Sequence, residues 1–345
     1  MIASQPSEPI KAFCIDFNWG EGGPNEFAVP GLWADASPSE HIAWYAALGC
    51  NVIQTFAVSS NGHAWYRSGS APEQPGLRHD FLREMVQLGH AGGMRVMGYF
   101  CVGANTLWGQ LHPDLSYGIP NAPHIPLTIK YLDYLSASVT DALRHTGMDG
   151  FMVDWVWNPG DMDGTPLRWL ACEQQMYHEL FNEDFPGIKH ISPDCELQFR
   201  RLAIERCWEY ISTAVQCAKP DAIVWLSCSD VTAPMVVNSK LFREVDWLMN
   251  EATDPQSLKL VQTMKGPHTQ LLQCVVGWGE AHDAQQILAG DSVKNVGIYG
   301  FAKPLSDSMP LPVAAYRAQP VLSFRGNDRN IAVLARAFTG MSTDL

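Results

Sequence analysis

Two carboxylates stand where apolar residues would be expected. Asp154 interrupts the run FMV-Asp-WVW, and a carboxylate there is costly unless it is hydrogen-bonded or has chemistry to perform. Its structural alternative is an Asp that caps a neighbouring loop. Glu251 ends a second apolar run in WLMNEATDP, immediately before a helical pattern. Its alternative is service, with Asp254, at that helix N-terminus. Two carboxylates, one attacking or activating water and one protonating the leaving oxygen, are the minimum equipment for cleaving a glycosidic bond. We therefore read Asp154 and Glu251 as a catalytic pair, Asp154 as nucleophile and Glu251 as acid/base of a retaining mechanism. Glu280, in WGEAHD, is the alternative acid.

Other polar residues fall at the ends of similar runs. Asp16, Asn18, Asn158 and His282 are candidate substrate ligands, as is Glu280, and Gln54, Asn105, Ser229, Asp230, Asn250, Asp283 and Lys303 occupy comparable positions. His63, in SSNGHAWYRSG, is a further candidate, although a lone His is more often structural. Trp19, Trp65, Tyr66, Trp108 and Trp157 alternate with polar residues, as do Trp155 and Trp278. That pattern suits sugar stacking combined with hydroxyl hydrogen bonds; the alternative is that these rings fill the core.

The elements that must position these residues are eight short runs rich in β-branched and aromatic side chains. They are KAFCIDFNW from Lys11, CNVIQTFAV from Cys50, MRVMGYFCVG from Met94, GFMVDWVW from Gly150, AIVWLSCS from Ala222, VDWLMNEA from Val245, QLLQCVVGW from Gln270 and NVGIYGFAKP from Asn295. They are apolar on both faces, as parallel strands covered by helices should be. Helical patterns separate nearly all of them: SPSEHIAWYAALG closes on Gly49, and DPQSLKLVQTMKG offers Asp254 as N-cap and Pro255 at the first helical position. Strand then helix, eight times over, predicts a single (β/α)8 TIM barrel filling residues 1–345 as one catalytic domain. Roughly sixty residues between the fourth and fifth runs exceed a usual loop plus helix. The insertion from Pro159 to Pro193, with a helix-like LRWLACEQQMYHELF, is either a lid or substrate wall, or a surface excursion.

Composition narrows the partners. A net charge of −13 disfavours nucleic acid and anionic membrane, which need a basic face, and tolerates a neutral sugar. The nine Cys form no CxxC pair or Cys/His cluster of zinc spacing, and no His-x-His stands on the first run. No metal and no cofactor is expected. Buried free thiols, the lack of an N-terminal h-region and the lack of a long apolar span point to a cytoplasmic protein. A homo-oligomer stays open.

From Trp33 to Tyr99 the chain reads HIAWYAALGCNVIQTFAVSSNGHAWY and then PGLRHDFLREMVQLGHAGGMRVMGYF, followed later by DGFMVDWVW. This order resembles α-L-fucosidase-like barrels and a related family of glycosyl hydrolases. The resemblance implies a TIM barrel whose nucleophile is an Asp at the end of strand four, which maps onto Asp154. The chain departs from the fucosidase pattern in two places: His63 stands alone where a paired His is usual, and Trp155 follows the nucleophile position where Gly is usual. Related α-glycosidase barrels place an acid on strand six, in agreement with Glu251. The function expected is thus hydrolysis of a neutral sugar glycoside. The alternatives are a catalytically inactive carbohydrate-binding barrel and a Schiff-base sugar lyase or aldolase using Lys303.

Overall fold

The computed structural model describes residues 9–20, 26–118, 123–157, 159, 167–277, 282–305 and 307–341. Eight parallel strands close into a barrel in chain order. They are β1 (Lys11–Ile15), β2 (Val52–Gln54), β3 (Arg95–Cys101), β4 (Gly150–Asp154), β5 (Ile223–Cys228), β6 (Trp247–Asn250), β7 (Gln270–Val276) and β8 (Gly297–Ala302). Each falls within one of the eight runs read from the sequence, because burial on both faces leaves an unbroken apolar signature. The helices are α1 (Pro38–Leu48), α2 (Phe81–Ala91), α3 (Thr106–Leu111), α4 (Ile129–Thr146), α5 (Ala171–Phe181), α6 (Pro193–Ala218), α7 (Lys240–Glu244), α8 (Pro255–Met264), α9 (Ala284–Ala289), α10 (Val313–Ala318) and α11 (Gly326–Ala337).

Alternation along each strand separates the two sides of the wall. On β1, Phe13 faces outward and meets Trp44 of α1 with ring centroids 5.2 Å apart. Inside the barrel, Trp225 of β5 meets Tyr299 of β8 edge-on at 5.2 Å. The pairing register sets Cys101 beside Asp154 and Cys228 beside Asn250, so the C-terminal ends of β3 to β6 share one rim. Gly150 permits the tight pairing of β4 with β5, since a Cβ there would collide with the Ile223 carbonyl.

Local chemistry sets the helix ends. The Ser37 hydroxyl caps α1, and Gly49 ends it at φ 92°, a backbone that glycine adopts without penalty. Asp254 caps α8 by accepting from the amides of Gln256 and Ser257. In the insertion, the helix expected from Leu167 starts only at Ala171. Trp169 takes a left-handed φ of 54°, and the Glu173 carboxylate folds back to accept from the Leu170 amide at 2.7 Å. Further along, Trp169 stacks on Phe185 with ring centroids 4.6 Å apart. Among the described residues, no helix is long and apolar enough to cross a membrane.

Candidate active site

A cleft of about 390 Å³ opens at the C-terminal rim of the barrel, where the loops of this fold build their sites. Asp154 and Glu251 both line it, together with Asp16, Asn18, Trp19, Gln54, Ser229 and Lys303. Asp154 is held from two sides: its Oδ2 accepts from the Tyr99 hydroxyl at 2.9 Å and its Oδ1 from the Trp155 amide at 2.8 Å. Glu251 accepts from the Ser227 hydroxyl through Oε1 at 2.6 Å. Asp16 is 9% exposed, and its Oδ1 accepts from the Asn18 amide at 2.8 Å.

The three carboxyls feel one another. Burial pushes the Asp154 carboxyl well above the ordinary carboxylate range, and the Glu251 charge pushes it further. Burial raises Glu251 as well. Asp16 is raised to about 7, first by burial, with the Asn18 amide and the Lys303 charge pulling the other way. Two carboxyls that repel each other in a poorly hydrated cleft hold a proton between them near neutral pH. Such a pair has one member able to donate a proton and one able to attack or to stabilise positive charge.

The aromatic wall differs from the one the sequence suggests. Trp19 lines the cleft and meets Trp155 with centroids 6.1 Å apart, and Trp155 also packs on Phe27 at 5.7 Å. Trp155 sits at φ 52°. The backbone after Asp154 therefore keeps a conformation that suits glycine, although a large ring occupies the position. Trp65 and Tyr66 lie elsewhere, at 1% and 0% exposure. The Trp65 ring packs 4.6 Å from Phe17 and 5.5 Å from Phe81 in the layer between strands and helices, and the Tyr66 hydroxyl reaches the Ser138 carbonyl. Trp108 is buried between His112 and Tyr131, with centroids at 4.2 and 4.9 Å, and Trp157 is buried too. These four rings are placed in the core by their apolar surface, and none is among the residues lining the cleft.

The remaining candidates divide in the same way. Asn18 is buried at the cleft, where its Oδ1 ties down the Ser60 amide at 2.8 Å. His63 turns from the cleft, with Nδ1 3.0 Å from the Glu73 carbonyl. His282 packs against Gly277, and its carbonyl accepts from Asn330. Asn105 caps α3 by accepting from the Trp108 amide, and Asn250 donates to Ser257 and Gln273 beneath the rim. Asn158, Trp278 and Glu280 lie outside the described residues. No group of three His, Cys, Asp or Glu side chains able to hold a metal occurs among the described residues.

Six lining residues carried no clear signal in the sequence: Glu26, Phe56, Tyr99, Met152, Tyr299 and Phe301. Tyr99, Tyr299 and Phe301 read as ordinary strand aromatics. Yet Tyr99 binds Asp154, and the Tyr299 hydroxyl donates to Gln54 at 2.8 Å across the barrel. The signal available was alternation: Tyr99 shares a strand face with Cys101, which pairs beside Asp154.

No curated protein matches the sequence. Among solved structures, the chain is similar to α-L-fucosidase isoenzyme 2 from Paenibacillus thiaminolyticus, with 15% identity and a TM-score of 0.65, covering 96% of this chain and 49% of that one. It is also similar to a β-galactosidase from Bacillus circulans sp. alkalophilus, with 12% identity and a TM-score of 0.57, covering 96% and 55%. The chain thus spans about half the length of these structures, and the likeness is one of fold. Residues 38–155, from α1 to the residue after Asp154, match the family described as hypothetical glycosyl hydrolase 6, which bears out the resemblance read from the sequence over that segment.

Proposed function

We propose that the protein is a glycoside hydrolase that cleaves a neutral sugar glycoside, fucosidase-like or a related α-glycosidase, by a retaining mechanism. The observation that carries the reading is the placement of Asp154 and Glu251 in one cleft, each half-buried and each raised above the ordinary carboxylate range. The glycosyl hydrolase match over residues 38–155 supports the same class.

The hydrogen bonds favour one assignment of roles, against the burial and the Glu251 charge that raise Asp154. Asp154 accepts one donor on each oxygen, which favours its charged form. Glu251 accepts one side-chain hydrogen bond on Oε1 among the described residues, which leaves Oε2 to carry the proton. Asp154 then attacks the anomeric carbon while Glu251 protonates the departing oxygen. In the second step Glu251, now a carboxylate, takes a proton from the water that releases the sugar from Asp154. The Trp19 and Trp155 rings offer the apolar face on which a sugar ring stacks, and Asp16, Asn18 and Gln54 offer partners for its hydroxyls.

Asp154→Asn tested against a panel of aryl glycosides of common neutral sugars separates this enzyme from a barrel that only binds carbohydrate. Turnover of at least one glycoside by the wild type, lost in the variant while sugar binding persists, supports the proposal. A variant as active as the wild type would overturn the catalytic reading.

A further inference from the structure

A second cavity of about 310 Å³ adjoins the cleft, and the two share Phe301 and Lys303 as a common wall. It lies between the end of β8 and the helices α10 and α11, and the end of β7 reaches it through Gly277. Its lining is mainly apolar: Leu305, Pro310, Leu311, Tyr316 and Ile331 face it. Leu305 is 50% exposed at the edge of the cavity. Its polar border is formed by Lys303, Arg325, Asn327 and Asp328, two of which make hydrogen bonds that hold the wall together. Asp328 accepts from the Tyr316 hydroxyl at 2.9 Å, and Asn327 donates to the Phe301 carbonyl at 3.1 Å.

The position around the rim gives the cavity a direction. Strands follow one another in order around the barrel, so β8 is two strands from β6, which carries Glu251 at its end, and four from β4, which ends in Asp154. The side of the cleft that faces this cavity is therefore the side of the acid. In a glycosidase the leaving group departs beside the residue that protonates it.

We propose that this cavity is the leaving-group site and that it takes an apolar aglycone, an aryl or short alkyl group, in preference to a second sugar. The proposal rests on the glycosidase reading given above. Its size sets the guest: an apolar cavity of about 150 Å³ holds one benzene, so one twice as large suits a bicyclic ring. A second sugar would set its hydroxyls against a wall in which apolar side chains outnumber the polar ones, Lys303, Arg325, Asn327 and Asp328.

The experiment uses 2-naphthol, a free aglycone, titrated by its fluorescence into the wild type, Asp154→Asn, Leu305→Asp and the milder Leu305→Ala. Leu305 touches neither catalytic carboxyl among the bonds described. Saturable binding to the wild type and to Asp154→Asn, weakened about tenfold or more by Leu305→Asp and less by Leu305→Ala, supports the site. No saturable binding, or equal binding by all four proteins, overturns it. In parallel, a 2-naphthyl and a methyl glycoside of the same sugar are compared. The naphthyl compound should show the lower KM in the wild type and lose that advantage in Leu305→Asp, while turnover of the methyl compound stays unchanged. If Asp154→Asn retains full activity, the glycosidase reading fails on its own, whatever the naphthol titration shows.

Discussion

Removing the Asp16 carboxylate from the cleft should stabilise the fold, and by an amount that depends on pH. Asp16 is raised from an ordinary 3.8 to about 7, chiefly by burial. Between those values the folded chain holds a proton that the unfolded chain has released, so stability falls as pH rises through this window. At about 1.4 kcal/mol per pH unit, the ionised form costs the folded state up to roughly 4 kcal/mol above pH 7. Asn at this position keeps the oxygen that accepts from the Asn18 amide and removes the charge. Lys303 then loses the Asp16 charge, which takes back part of the gain. Asp16→Asn should therefore match the wild type near pH 4 and exceed it by about 2–4 kcal/mol at pH 8. Urea unfolding at both pH values, with m compared to confirm the same transition, measures the difference. Identical pH dependence in the two proteins would refute the argument that burial without full compensation holds Asp16 up. A fold that gains stability when a cleft carboxylate is removed is one that carries that carboxylate for another reason.

Three further outcomes follow from the same geometry. Glu251→Gln should slow hydrolysis of glycosides with poor leaving groups by about 10²–10⁴-fold and spare activated dinitrophenyl glycosides, as a lost acid does; equal loss on both would remove Glu251 from that role. Tyr99→Phe deletes the donor that favours the Asp154 carboxylate, so the acidic limb of the kcat/KM profile should move to higher pH, with about tenfold lower activity on that limb; an unmoved limb would contradict it. At Trp155, held at φ 52°, Gly should give a protein about 1 kcal/mol more stable than Ala does, because both lose the ring and only Ala keeps the strained backbone. Thermal melts of the two variants decide this.

Much of the fold was legible because parallel strands buried on both faces leave apolar runs that helices cannot imitate at that length. Asp154 and Glu251 stood out for the same reason, as charges at the edge of such runs. The aromatic assignments were less legible. Trp65, Tyr66 and Trp108 alternate with polar residues just as cleft rings would, yet long-range packing against Phe17, Phe81 and Tyr131 turns them inward. No local pattern carries that information. Tyr99 and Tyr299 were hidden in the opposite way. Each looks like one more strand aromatic, and its hydroxyl acquires a partner only once β3 meets β4 and β8 closes on β1. The late start of α5 likewise depends on Glu173 reaching back to Leu170 and on the Tyr117 hydroxyl it accepts from at 2.8 Å.

The central claim, that Asp154 attacks the sugar directly, is tested most directly by chemical rescue. Asp154→Ala opens a space beside the anomeric carbon on the face from which the carboxylate would act, and azide is small enough to enter it. With an activated aryl glycoside, the account predicts negligible turnover by Asp154→Ala alone. Added azide should then restore release of the aryl group, and the product isolated should be a glycosyl azide of anomeric configuration opposite to that of the substrate. Recovery of a glycosyl azide with the substrate's own configuration, or wild-type turnover by Asp154→Ala without azide, would contradict it.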